Sequence, residues 1–286
     1  MRRTLRRLRR DRGAVGAGVV LVVIVMGAAF ARRVAPYLWD SIDLARVNHG
    51  PTTAGHHFFG TDQVGRVVLS RTLWGLQTTG RVGLGAAAIA TAIGVPVGVV
   101  AGYYGSWLDA GLMRLVDLVT SFPTLMLSLA AIIFFTPVQP TTLMLVLGFS
   151  TWTIVARVVR ATATATAATD YVDAARALGA SDVQILRRHV APNIGGTVLV
   201  AGTSVLGQAL LLEATIEFFS YGVPASRFPS LGNLIADVTL TGGLGLSGYQ
   251  ALGWWTWAFP AAVLALVLAC VNAVGDALDE ALNPVR

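Results

Sequence analysis

Six apolar segments constrain this chain most, each about as long as the roughly 20 residues a helix needs to cross a hydrocarbon core of about 30 Å. They fall at about 14–35, 79–102, 112–135, 141–160, 194–221 and 254–275. With 55% hydrophobic and 13% charged residues among 286, and a mean hydropathy of +0.67, an ordinary soluble domain is excluded. The expected class is an all-α integral membrane protein with six transmembrane helices.

Charge placement then sets an orientation. Arg2, Arg3, Arg6, Arg7, Arg9, Arg10 and Arg12 crowd ahead of the first segment, which by the positive-inside rule puts the amino terminus in the cytoplasm. Six crossings return the carboxyl terminus to the same side, and Arg157, Arg160, Arg176, Arg187 and Arg188 land there too. Arg32, Arg33, Arg46, Arg66, Arg71 and Arg81 fall on or near the outer side, so the rule holds by density rather than strictly. The net charge of +6 comes without interleaved aromatic residues in the basic arm, which argues against a nucleic-acid partner. The run Ala14 to Ala31 exceeds a signal-peptide core and is followed by Arg32-Arg33, so the first segment reads as a retained anchor. The lone Cys270, inside the last segment, reads as a packing residue.

A polar island, Asp170 to Asn193, interrupts the apolar pattern between the fourth and fifth segments. Asp170 suits an N-cap with Asp173 at N3, and an acidic first turn matches the positive end of a helix dipole. Tyr171, Ala174, Ala175 and Leu178 recur at helical spacing, and Gly179 suits a left-handed helix end. Ser181 with Gln184 forms a capping-box signature for a second helix carrying Val183, Leu186 and Val190 on one face, with Pro192 as its stop. The small residues Ala174, Ala175 and Gly179 would let another protein approach the backbone closely.

This spacing resembles the Glu-Ala-Ala signature of ABC importer permeases. Asp173-Ala174-Ala175, Gly179 and Pro192 match it, with Asp173 in place of Glu, His189 at the hydrophobe position and Ala191 at the Leu position. Ala174 to Ser181 and His189 to Asn193 are similar to the dipeptide and oligopeptide branch, C-type subunit. The resemblance implies a type I ABC importer permease fold, with the loop at about 170–193 as a cytoplasmic coupling helix. Asp173, Ala174, Ala175, Leu178, Gly179, Ser181, His189 and Pro192 would then couple to an ATPase.

Further blocks carry the same resemblance. His57 to Asp62, Gly65-Arg66 and Ser70-Arg71 look like an outer-loop motif of the family, with Phe58 and Val67 departing from it. As metal ligands His56, His57 and Asp62 lack helical spacing, and turn and interface roles are favoured. Gly83, Gly85, Gly94, Gly98 and Gly102 permit close helix packing, as at a subunit interface or in a packed core. Gly102 to Asp109, Met113 to Asp117, Phe122-Pro123, the Trp152 to Arg160 approach, Glu213-Ala214, Pro224, the Pro229 to Asn233 run and the tail from Asn272 to Pro284 continue it. Arg114 and Asp117, one turn apart, are expected to be held in an intrahelical or interhelical ion pair rather than to act as a proton relay. Arg157, Arg160 and Glu213 are further structural or gating candidates, while Glu213 and Glu217 share a helix face at i,i+4. The Thr162 to Thr169 run reads as the fourth helix continuing into water, and Trp254, Trp255 and Trp257 as an interfacial belt.

Residues 1–78 are assigned to the arginine-rich terminus, first helix and outer segment, and 79–286 to the core permease domain. No lysine occurs, so the phosphate-binding lysine of a P-loop is absent and the chain is expected to have no ATPase site or other catalytic role. The family implies a homologous B-type permease, two cytoplasmic ABC ATPases carrying ATP and Mg²⁺, an extracytoplasmic binding protein and membrane lipid as partners. No cofactor or metal is assigned to this chain. The expected function is translocation of dipeptides or oligopeptides across a bacterial cytoplasmic membrane by alternating access. The alternative is an ion-gradient-driven secondary transporter or channel using Glu213 and Glu217.

Overall fold

The computed structural model describes residues 11–135, 137–240 and 253–282, and the regular structure there is helical. Arg12–Ala29 (α1) is capped by Asp11, whose carboxylate accepts from Gly13 N at 2.8 Å, and is followed by the single turn Ala31–Val34 (α2). After an irregular outer segment come Val68–Tyr104 (α3), Ser106–Thr120 (α4), Thr124–Ile132 (α5) and Pro140–Ala167 (α6). Asp170–Ala177 (α7), Asp182–Ile185 (α8), a π-helical turn Leu186–Val190 and Ala191–Phe218 (α9) form the next stretch. Leu231–Leu240 (α10) and Trp255–Leu282 (α11) complete it. Arg2 to Arg10 and the tail residues Asn283-Pro284, both used in the sequence reading, lie outside the described residues.

The axis of the bundle is the pair α3 and α6. Gly94, Gly98 and Gly102 recur every four residues, so they line one side of α3. A Cβ there would stand 2.7 Å from Trp152 O, 2.5 Å from Ala156 O and 2.5 Å from Arg160 O respectively. Gly148 of α6 returns the contact, its Cβ position lying 2.6 Å from Ile89 Cβ. The two backbones therefore touch, which is how helices gain packing energy where lipid supplies no hydrophobic drive. Of the two readings offered for these glycines, they build the internal core of this chain. Gly83 plays the same part toward α9, where Leu210 and Leu206 fill the space.

Among the described residues five helices are long and apolar enough to cross a membrane, or six if α4 and α5, joined by a sharp bend, count as one broken span. The third span expected at 112–135 is thus not one helix. It starts at Ser106, directly after Gly105 (φ 61°, ψ −150°), a conformation essentially restricted to glycine, and bends by 78° before α5. Pro123 causes that break, since it lacks an N–H and biases Phe122 away from helix. The second helix begins at Val68, earlier than the apolar run, because Ser70 and Arg71 are buried against neighbouring elements. The fourth continues to Ala167, as its Ala–Thr extension suggested. The short helix α10 was not expected: Ser230 and Asn233 cap it reciprocally, Ser230 N to Asn233 Oδ1 at 3.0 Å and Asn233 N to Ser230 Oγ at 3.1 Å.

Gly98→Val should force α3 from α6 and cost about 1–3 kcal/mol, as overpacked cores do. Gly80→Ala, with open space around the new methyl group, should hold or raise stability. Thermal melting of the detergent-purified protein checks both.

Candidate functional site

The island between α6 and α9 folds as two short helices around a glycine turn. Thr169, extended at φ −88° and ψ 146°, occupies the N-cap, which corrects the assignment of Asp170: that residue is the first helical one. Asp170 and Asp173 still place negative charge in the first turn of α7. At the other end Ala180 N donates to Ala175 O at 3.1 Å and Gly179 N to Arg176 O at 3.0 Å, with Gly179 at φ 84°. These bonds are a Schellman closure, and glycine allows it without a Cβ penalty. Ser181 Oγ then accepts from Gln184 N at 3.4 Å and opens α8. Pro192 does not stop this helix. The preceding π turn widens the backbone and makes room for the Pro192 ring and its missing N–H within a continuous helix.

The unit has an inner and an outer side. Val172, Ile185 and Val190 are fully buried and join Val116, Val159, Ala163 and Ile194 in one apolar cluster. Leu178 is 89% exposed, Val183 64% and Tyr171 46%, although all three are apolar or aromatic. Ala174 and Gly179 are exposed beside them, and Ala175 is half-buried. The stripe anticipated on α7 therefore points away from the bundle, while the side chains that seat the unit, Val172 and Ile185, were not singled out. Asn193 Nδ2 donates to Tyr171 Oη at 2.9 Å and to His189 O at 2.8 Å, and the Tyr171 and His189 rings lie 5.6 Å apart. Asp173 pairs with Arg176 at 3.0 Å, a half-exposed contact of little energetic weight.

Above the unit, Tyr103 of α3 donates to Asp182 Oδ1 at 2.7 Å. Arg160 grips Asp109 through both oxygens, Nη2 to Oδ2 at 2.6 Å. Arg157 reaches Asp117 at 2.7 Å and Thr120 Oγ1 at 2.9 Å. Of the two pairings expected for these charges, Asp117 makes the interhelical one, with Arg157 of α6, and the intrahelical Arg114–Asp117 pair is not formed; Arg114 is exposed with no ion pair among the described residues. Asp109 and Asp182, each in a quoted motif or island, had been given no role.

The opposite end of the bundle holds a second polar group. Asp62 accepts from Val64 N, Arg66 N, Arg66 Nε and Arg71 Nη1 at 2.7–3.0 Å, and Arg71 continues to Asp237 at 2.9 Å. His57 stacks parallel on Tyr37 with centroids 5.4 Å apart, and burial, aided by nearby Arg46, holds its imidazole below the ordinary pKa of 6.5. Glu213 and Glu217 are both buried. Glu213 accepts from Thr79 Oγ1 at 3.2 Å, Thr79 Oγ1 accepts from Leu231 N at 3.1 Å, and Glu217 accepts from Val223 N at 2.8 Å. These carboxyl groups fasten the end of α9 to α3 and, through Thr79, to the start of α10.

Residues 94–285 match the family model described as "Binding-protein-dependent transport system inner membrane component". The chain belongs to that family. Residues 1–51 also match a model described as the N-terminal transmembrane domain of oligopeptide transport permease C. The oligopeptide transport system permease protein OppC of Mycobacterium tuberculosis is 34% identical over 99% of this chain and 94% of its own length. OppC of Bacillus subtilis is 29% identical over 97% and 87%. Among solved structures, an inward-facing MetNI methionine ABC transporter chain superposes with a TM-score of 0.58 at 20% identity, covering 76% of this chain and 96% of that one, which supports the type I importer permease fold. Family membership sets aside the ion-gradient-driven alternative.

Two measurements test the outer cluster. Arg71→Ala removes the buried cation shared by Asp62 and Asp237 while Asp62 keeps Arg66 and two backbone N–H donors, so the loss should be about 1–3 kcal/mol, seen as faster proteolysis of residues 35–67. His57 has a lower pKa folded than unfolded, so the unfolded chain takes up the proton first and stability falls as pH drops below 6.5. Protease protection of the same segment should therefore weaken from pH 7.5 to pH 5.5, and His57→Phe should weaken it less.

Proposed function

We propose that this chain is the C-type permease subunit of an ATP-driven peptide importer, and that residues 170–193 form its coupling helix for a cytoplasmic ABC ATPase. The observation that carries the coupling assignment is the exposed apolar face of Tyr171, Leu178 and Val183 on a unit whose inner side is locked into the bundle. Exposed apolar groups rimmed by charge, here Asp173, Arg176, Arg187 and Arg188, mark protein-binding surfaces. The peptide assignment draws its support from relatives named as oligopeptide permeases.

In this reading the 170–193 end faces the cytoplasm, with both termini on that side, and the Glu213, Arg71 and His57 end faces outward. ATP and Mg²⁺ belong to the two ATPase subunits, and a homologous B-type permease completes the pathway. An outer binding protein delivers the peptide. Closure of the ATPases displaces the docked unit, and the displacement passes to α6 and α9, which are continuous with it. Access to the pathway then alternates between the two sides.

The test is copurification and uptake. Leu178→Asp puts a charge into the docking face and should remove the ATPases from the purified complex. Gly179→Trp strains a residue at φ 84° and projects a large ring from the same face, and it should abolish uptake with membrane insertion intact. Wild-type peptide uptake from a well-expressed Gly179→Trp variant would overturn the assignment.

A further inference from the structure

The coupling unit meets the three central helices in unequal ways. It follows α6 after a two-residue link, Ala168 and Thr169. It runs into α9 through the π turn Leu186–Val190, without a break. With α3 it shares no nearby chain connection, yet α3 is the helix whose backbone is pressed against α6. The tie is made by one side chain. Tyr103, 8% exposed in the last turn of α3, donates its hydroxyl hydrogen to Asp182 in the first turn of α8. The Arg176 guanidinium of α7 faces the same hydroxyl, an interaction that favours the charged arginine. The geometric contact of the phenol is with α8, just beyond the Gly179 turn. Among the hydrogen bonds of the described residues it is the one that joins α3 to residues 170–193.

We infer that Tyr103 is a positioning residue for energy coupling: its hydroxyl fixes the docking unit to the α3–α6 body, so that the two turn together when an ATPase pushes on the unit. The inference rests on the coupling role proposed above. Apolar packing by Val172, Ile185 and Val190 holds the unit down but is non-directional, and it tolerates rotation about the buried side chains. A hydrogen bond to a carboxylate is directional and roughly twice as strong as a neutral one. Without it, the joints at Ala168-Thr169 and at the π turn are free to absorb the push locally. Gly105, directly after the last turn of α3, separates this tie from α4, so the contact reports on α3 and not on the helix beyond.

The experiment uses the complete transporter in proteoliposomes, with both permeases, both ATPases and the binding protein, a mixed pool of tripeptides to pentapeptides, and paired measurement of uptake and ATP hydrolysis. Tyr103→Phe keeps the ring and loses the hydroxyl. The ATPases should copurify as in wild type, while peptide moved per ATP falls about tenfold, the middle of the range for coupling between sites. Asp182→Asn should lower the ratio similarly, and the double variant should fall no further than the worse single one, as for partners in one contact. An unchanged ratio in Tyr103→Phe overturns the inference, as does a fully additive double variant. Loss of the ATPases from Tyr103→Phe overturns it too, because the hydroxyl would then be needed for docking itself rather than for passing the motion on. Failure of the coupling assignment itself is read separately: Leu178→Asp would keep its ATPases.

Discussion

The close approach of the α3 and α6 backbones is the contact on which the other packing depends. Three glycines in one register bring α3 onto the carbonyls of Trp152, Ala156 and Arg160. In lipid this arrangement has to be won by dispersion and shape alone, so any side chain larger than hydrogen at those positions removes much of it. Contact spread over Gly94 to Gly102 also prevents the pair from sliding, because every turn would clash at once. The pair therefore behaves as one body. The cluster that seats the docking unit, with Val155, Ala156, Val159 and Ala163 from α6, is built on its flank.

Charge is then arranged around the two ends of that body. Near the docking unit, Asp109 and Asp117 are bound by Arg160 and Arg157. Eight residues separate the acids, about 12 Å along α4, while three residues, about 4.5 Å along α6, separate the arginines. The helices therefore run obliquely in opposite senses, and the long guanidinium side chains span the difference. At the far end, Arg71 lies between Asp62 and Asp237, and Thr79 links Glu213 to the start of α10. Buried ionic and carboxyl groups are costly in a membrane unless held by partners, so both sets fix geometry more than they add stability.

Local chemistry was legible in the sequence wherever a single residue decides it. Gly179 closes α7, Ser181 opens α8, and the glycine pattern of the second apolar segment marks a close approach. Tertiary choices were not legible. Asp117 has Arg114 one turn away but turns to Arg157, because the neighbouring helix offers a better-placed guanidinium. Pro192 reads as a stop only if the helix before it is regular, and the π turn makes room for it. An apolar stripe that docks on the chain's own bundle and one that faces outward have the same composition. Tyr171 and Leu178 were therefore indistinguishable in the sequence from Val172 and Ile185. The break at Pro123 was visible as a residue, but its 78° bend depends on where α5 finds apolar cover.

Under the proposed coupling role, the joints of the 170–193 unit explain why its orientation would need a separate tie. Thr169, at the link to α6, is held by its own hydroxyl on Thr166 O at 2.6 Å, a bond within one short turn that resists unravelling but not swivelling. The π turn toward α9 is a looser coil than an α-helix and bends more readily. Seated on such joints, a unit carrying an exposed Leu178 would tilt under load while the α3–α6 body stayed still. In the proposed mechanism, a single fixed point on the closely packed α3–α6 body would carry that tilt to the bundle. Tyr103 lies at the end of α3 nearest the unit, where a hydroxyl can reach α8 without entering the glycine contact. A bond nearer the middle of α3 would have to compete with the packing that makes the body rigid.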